Sequence, residues 1–203
     1  MIQSIAIFCG SSIGNDPLYR QIAEETGRYL AEQNIRLVYG GGKVGIMGAL
    51  ADAVLLHGGE VTGVIPTVLL EREIAHDSLT DLIVVDTMHE RKETMMELAD
   101  AFVALPGGPG TLEELFEVFT WNQIGLLQKP CGLLNANGYF DLIEQLFTHM
   151  IEKKFMSADA LQILSKEASI SELITRLSDY VAPPLKQYKD NQSSTIMRGG
   201  NPS

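Results

Sequence analysis

The chain is predicted to fold as a single α/β domain, a doubly wound, Rossmann-like parallel sheet with helices on both faces. Three observations predict it. Short β-rich runs alternate with helical patterns along most of the sequence, the order that parallel strands joined by right-handed helical crossovers require. The strand-like runs are apolar with little alternation, as expected of strands buried on both faces. Glycine-bearing turns follow three of those runs, at residues 9–12, 40–45 and 106–110. In such sheets ligands bind outside the carboxyl ends of the strands, where the direction of the connections reverses.

Residues 3–9 form the first apolar run. Pro17 opens a helix with Leu18, Ile22, Thr26, Tyr29 and Leu30 on one side, since proline suits the first helical position. Residues 35–39 are a second strand, and a helix is expected from 45 to 57. Residues 60–65 are a third strand, closed by Pro66. Residues 67–81 read as an irregular polar excursion, a flap over the site. The second half repeats the alternation: strand 82–85, helix 88–99, strand 101–105, helix 111–125, strand 131–134 and helix 139–153. A short apolar run at 161–164 and a helix at 169–179 complete a catalytic domain spanning residues 1–180. Proline, serine, glycine and asparagine dominate the rest, so residues 181–203 are expected to be a mobile tail.

The 203 residues carry 45% hydrophobic and 20% charged side chains, the balance of a globular domain with a substantial core. A net charge of −11 and the lack of any basic cluster beyond Lys153 and Lys154 argue against a nucleic-acid partner. Cys9 and Cys131 are read as buried free thiols of a reducing cytosol. The sequence begins in a strand pattern and has no long apolar run, so neither a signal peptide nor a membrane span is expected and the location is read as cytoplasmic. The four histidines are scattered without ligand spacing, so neither a metal site nor a cofactor is expected.

Gly40-Gly41-Gly42-Lys43-Val44-Gly45 matches G-x-G-x-x-G between a strand and a helix. A dinucleotide site would place an acid at the carboxyl end of the next strand; Glu60 stands at its start. The turn can equally serve packing alone, and Gly41, Gly42 and Gly45 are kept as candidate nucleotide contacts. A stronger signal is Pro106-Gly107-Gly108-Pro109-Gly110-Thr111-Leu112-Glu113-Glu114. Gly107, Gly108 and Gly110 let backbone approach an anion closely. Thr111 supplies a hydroxyl and an N-cap, and the helix N-terminus offers unpaired N–H groups and the positive end of its dipole.

This run resembles the PGGxGTxxE signature of the Lonely Guy family, the cytokinin-activating nucleoside 5′-monophosphate phosphoribohydrolases long mislabelled lysine decarboxylases. The resemblance covers most of residues 2–180. It takes in Phe8-Cys9-Gly10-Ser11-Ser12, the Gly40 to Gly48 turn, and Met88-His89-Glu90-Arg91-Lys92 with Met95. Pro109 departs from the family, whose members often carry an aromatic or aliphatic residue there, and bears on pocket shape. The resemblance implies that Arg91 and Glu114 are the paired functional residues and that the chain is a homodimer. It also implies cleavage of the N-glycosidic bond of AMP-like nucleotides, giving free base and ribose 5-phosphate.

The chemistry of the residues is compatible with that implication. Glycosidic cleavage passes through a sugar cation, which a carboxylate can steady. Glu114 lies about 5–6 Å along the helix axis from an anion at its start, and the helix dipole favours its ionised form. Arg91 can engage carboxylate, phosphate or ribose as a fixed fork. Lys92, Met88, Gly10 and Ser12 are further candidate contacts, while Glu113 and Glu117 read as a solvated face. The helix after Gly110 is apolar on two sides, with Leu115, Phe116 and Phe119 on one and Val118 and Trp121 on the other. One side is expected to meet the sheet, the other a partner subunit. Competing readings are a non-catalytic nucleotide-binding module of the same fold, an NAD-linked enzyme and a pyridoxal-dependent lysine decarboxylase. The first would tolerate loss of Glu114 or Arg91. The last is disfavoured because none of the eight lysines sits in a persuasive Schiff-base context.

Overall fold

The computed structural model describes residues 2–70, 72 and 75–183. The expected mobile tail lies outside the described residues from position 184 onward. The elements follow in the order β1 Ser4–Phe8, α1 Pro17–Glu32, β2 Arg36–Tyr39, α2 Gly45–Leu56, β3 Val61–Pro66, α3 Thr67–Leu70 and β4 Asp81–Val85. Then come α4 Met88–Leu98, β5 Ala101–Ala104, α5 Pro109–Ile124, β6 Cys131–Leu134, α6 Asp141–Glu152, β7 Leu164–Glu167 and α7 Ile170–Ser178. Short 3₁₀ turns at Ala136–Gly138 and Ala158–Ile163 lead into α6 and β7.

The strands form one seven-stranded sheet in the order β4-β3-β2-β1-β5-β6-β7, and every pairing is parallel. Alternation in β1 divides the core. Ile5 and Ile7 face a cluster with Leu30 of α1, Leu50 of α2 and Leu173 of α7. Ala6 and Phe8 face a second cluster with Met95 of α4, Phe119 of α5 and Phe147 of α6. Helices thus cover both faces, which explains why the inner strands read as unbroken apolar runs.

Three expectations need correction. The final strand is not the apolar run at 161–164, which is largely 3₁₀ turn, but Leu164–Glu167; an edge strand needs only one buried face and tolerates Ser165, Lys166 and Glu167. The excursion at 67–81 is not wholly irregular, because Thr67–Leu70 is a helical turn and Ala75 forms an isolated bridge with Gly42. Helix α5 begins at Pro109, with Gly108 as its N-cap. Thr111 is therefore inside the first turn and is not the cap, because proline with its fixed φ takes the first helical position ahead of it.

Candidate active site

The strand order reverses between β1 and β5, so the crevice beyond Phe8 and Ala104 is the topological switch point. Two loops touch there. The Gly10 N–H donates to the Pro106 carbonyl at 3.1 Å, and a Cβ on Gly10 would lie 3.3 Å from the Gly107 Cα. The Gly10 carbonyl in turn accepts from the Ile46 and Met47 amides at 3.0 and 3.3 Å. The first-turn donors of α2 are thus spent on the neighbouring loop.

The start of α5 likewise has no side-chain cap, but among the described residues no neighbouring carbonyl engages its Gly110 and Thr111 amides, which have no partner within the helix. A Cβ added to Gly108 or Gly110 would meet nothing within 4 Å, so both face open space. Gly107 is different, since its missing Cβ makes room for the Thr111 hydroxyl and the Gly10 amide. Its carbonyl accepts from the Tyr139 hydroxyl at 2.7 Å. The loop is therefore fixed at Gly107 and bare at Gly108 and Gly110.

A cavity of about 300 Å³ opens beside these bare glycines, and Arg91, Glu114, Thr111, Cys9, Met88 and Gly10 are among its walls. Helix α4 brings Arg91 there. Its N-cap Thr87 accepts from the Glu90 amide at 3.1 Å, and Glu90 accepts from the Asp86 amide at 2.9 Å, so the helix starts at Met88 and Arg91 falls in its first turn. Arg91 is 7% exposed, and its guanidinium fills the notch left by Gly40, where a Cβ would sit 1.9 Å from one terminal nitrogen. The other terminal nitrogen lies 3.8 Å from the Met88 sulfur, and the buried Nε has no hydrogen-bond partner. A buried donor without a partner costs about 1–3 kcal/mol, which a ligand acceptor would relieve.

Glu114, from the second turn of α5, is half-buried in the same cavity. Its charge and that of Arg91 both reach Cys9 on the cavity floor. Burial pushes the Cys9 thiol far up, Glu114 adds to the rise and Arg91 opposes it. Cys9 is therefore a neutral wall of the site and not a nucleophile. Both cysteines are free and buried.

The structure brings Arg91, Glu114, Thr111, Gly108, Gly110, Gly10 and Met88 to one cavity. Gly107 and Ser12 line an adjoining cavity of about 390 Å³ with Tyr19 and Tyr139. Gly41, Gly42, Gly45 and Lys92 are not among the residues that line either one. Gly45 has φ +65° and its Cβ would collide with the Ser11 backbone at 2.3 Å. The excursion clamps the same turn: the His76 amide donates to the Gly41 carbonyl at 3.0 Å and Lys43 pairs with Asp77 at 3.0 Å. Glu113 and Glu117 are not simply a solvated face, because Lys92 pairs with both. Sequence reading missed Gly40, Tyr139 and the cavity wall Leu69. A side-chain notch and a loop tie both need three-dimensional neighbours that no local pattern signals.

The second apolar side of α5 is covered within the chain. Val118 is fully buried, and the Phe116 and Phe119 rings contact Phe147 of α6 at 5.6 and 5.0 Å. The two-sided pattern reflects sheet and α6 together, and it does not call for a partner subunit. Among the described residues no group of His, Cys, Asp and Glu is assembled that could hold a metal ion. No helix among them is long and apolar enough to cross a membrane.

Residues 47–177 match the family model described as "Possible lysine decarboxylase". A cytokinin riboside 5′-monophosphate phosphoribohydrolase of Arabidopsis thaliana is 46% identical over 177 residues, 87% of this chain and 83% of that relative. One from Oryza sativa subsp. japonica is 44% identical over 87% of this chain and 73% of its own length. Among solved structures, the Moco carrier protein of Chlamydomonas reinhardtii superposes with a TM-score of 0.65 at 20% identity, covering 88% of this chain and 96% of that one. The molybdenum cofactor binding protein of Rippkaea orientalis gives 0.66 at 20% identity over 88% and 96%. At such identity these structures share the fold alone.

Proposed function

The chain belongs to the family of the cytokinin riboside 5′-monophosphate phosphoribohydrolases, and from that premise we propose that it hydrolyses the N-glycosidic bond of adenine-type nucleoside 5′-monophosphates. The products are the free base and ribose 5-phosphate. One observation carries the reading: an uncapped helix start with two bare glycines opens onto the cavity that holds Glu114 and Arg91.

The α5 amides at Gly110 and Thr111 take the phosphate, where the dipole favours an anion. The ribose then extends toward Glu114. As the bond from C1′ to the base nitrogen breaks, its electron pair leaves with the base and positive charge builds on the sugar. The Glu114 carboxylate steadies that charge, and the Arg91 fork, with an unspent donor, orients the carboxylate and the sugar hydroxyls. Water supplies hydroxide to C1′ and its remaining proton goes to the departing base, so the balance closes without a cofactor.

The experiment is product chromatography after incubation with AMP, its N6-isopentenyl derivative and adenosine. Adenine and ribose 5-phosphate are expected from AMP, with adenosine a poor substrate for want of the anchoring phosphate. Equal turnover of adenosine would remove the phosphate anchor from the proposal, and the ratio of the two monophosphates assigns the preferred base.

The same reading takes the chain to be a cytoplasmic homodimer. Its two buried thiols suit a reducing compartment. The edge strand β4 leaves Leu82 and Val84 exposed, with Met88 also exposed near the site, the kind of apolar edge that partner chains cover. Light scattering giving a mass near one chain would refute pairing.

A further inference from the structure

We infer that Lys92 is a positioning residue which fixes the spacing of Arg91 and Glu114 by tying α4 to α5, and that it is not a ligand of the nucleotide. The inference rests on the function proposed above. The Lys92 side chain is 9% exposed, with its ammonium 2.6 Å from Glu113 Oε1 and 2.8 Å from Glu117 Oε2. The first contact is a hydrogen bond. The second is an ion pair by distance, although the buried Glu117 oxygen lies outside strict hydrogen-bond geometry.

Register explains the arrangement. Successive helical residues point about 100° apart, so when Arg91 faces the cavity its neighbour faces sideways toward α5. Glu113 and Glu117 are one turn apart on that helix, a like-charge pair that costs a few tenths of a kcal/mol when unneutralised. Lys92 sits between them. Burial opposes its charge, but the two carboxylates outweigh burial and hold the ammonium above its ordinary range.

The cluster of one cation and two anions carries a net negative charge, which repels a phosphate. It also joins helices that lean largely on different strands and share β1, α4 packing on β1 to β4 and α5 on β1, β5 and β6. Arg91 is the residue before Lys92, and Glu114 is the residue after Glu113. Any change in the bridge moves both members of the functional pair.

The test compares Lys92→Met, Lys92→Arg and Glu113→Gln/Glu117→Gln with the wild type in AMP hydrolysis, after thermal melts confirm folding. Lys92→Met and the double glutamine variant should each lose kcat on the order of 10- to 100-fold with KM moved less than about threefold. Lys92→Arg should retain most of the rate, because it restores the bridge. If Lys92→Met raised KM for AMP while the double glutamine variant left it unchanged or lowered it, Lys92 would be a phosphate ligand and the inference would fail. An active wild type with unchanged kcat in both bridge-breaking variants would overturn the positioning role alone. A wild type that leaves AMP intact would overturn the functional reading and this role together.

Discussion

The β2–α2 and β5–α5 turns have similar glycine density and flank the same Gly10 loop at the end of β1, yet their glycines are there for opposite reasons. In the first, the omitted side chains make room for the protein itself. A Cβ on Gly45 would strike the Ser11 backbone, one on Gly48 the Lys43 carbonyl, and one on Gly40 the Arg91 guanidinium. In the second, Gly108 and Gly110 have nothing in front of them, so the vacant volume is available to something that is not protein. Neither helix start has a side-chain cap, but the α2 amides are already engaged by the Gly10 carbonyl, and among the described residues no neighbouring carbonyl engages those of Gly110 and Thr111. A glycine motif alone does not separate internal packing from reception of a guest; the neighbours of the missing Cβ do.

The sharpest way to break this contrast is at the carboxylate beside the open turn. Glu114→Gln is expected to lower kcat for AMP on the order of 10²- to 10³-fold with nucleotide binding kept, as read by steady-state kinetics and equilibrium titration. Unchanged turnover would separate the open turn from the chemistry. Gly45→Ala tests the closed turn, where a left-handed backbone and a backbone collision combine; urea denaturation should show at least about 2 kcal/mol of lost stability.

Gly40→Ala sits between the two regions, because the atom it strikes is the end of a flexible side chain. It should displace Arg91 and cut kcat about 10-fold or more while the melting temperature changes little. Gly110→Ala should have the smallest effect on the protein. Stability should hold or rise by up to about 1 kcal/mol, since alanine restricts the unfolded chain and suits a helix, while KM for AMP rises about tenfold as the methyl group enters the phosphate's space. Loss of stability there, with KM intact, would place Gly110 with the packing glycines.

Much of the framework was legible from residues alone. Alternating strand and helix patterns with glycines at strand ends point to the crevice, and the same patterns put the α4 and α5 starts within two residues of where they lie. What escaped was set by neighbours distant in sequence. Lys92 reads as a candidate nucleotide contact next to an arginine, yet α5 supplies two carboxylates that engage it instead. The last strand escaped because one exposed face removes the apolar signature. Gly40 escaped because its partner, Arg91, lies 51 positions further on. Conversely, the two-sided apolar pattern of α5 was visible but ambiguous, because a packed α6 and a second subunit leave the same trace.

The Tyr139 hydroxyl on the Gly107 carbonyl has a kinetic consequence. It moors the receiving loop to the segment beyond β6, and the Tyr139 ring is itself braced edge-on by Tyr19 and Phe140. The loop's disorder has therefore been given up at folding and not at each encounter, so an arriving monoester has little chain to organise. Capture should then proceed in one phase, limited by collision and not by a closing step.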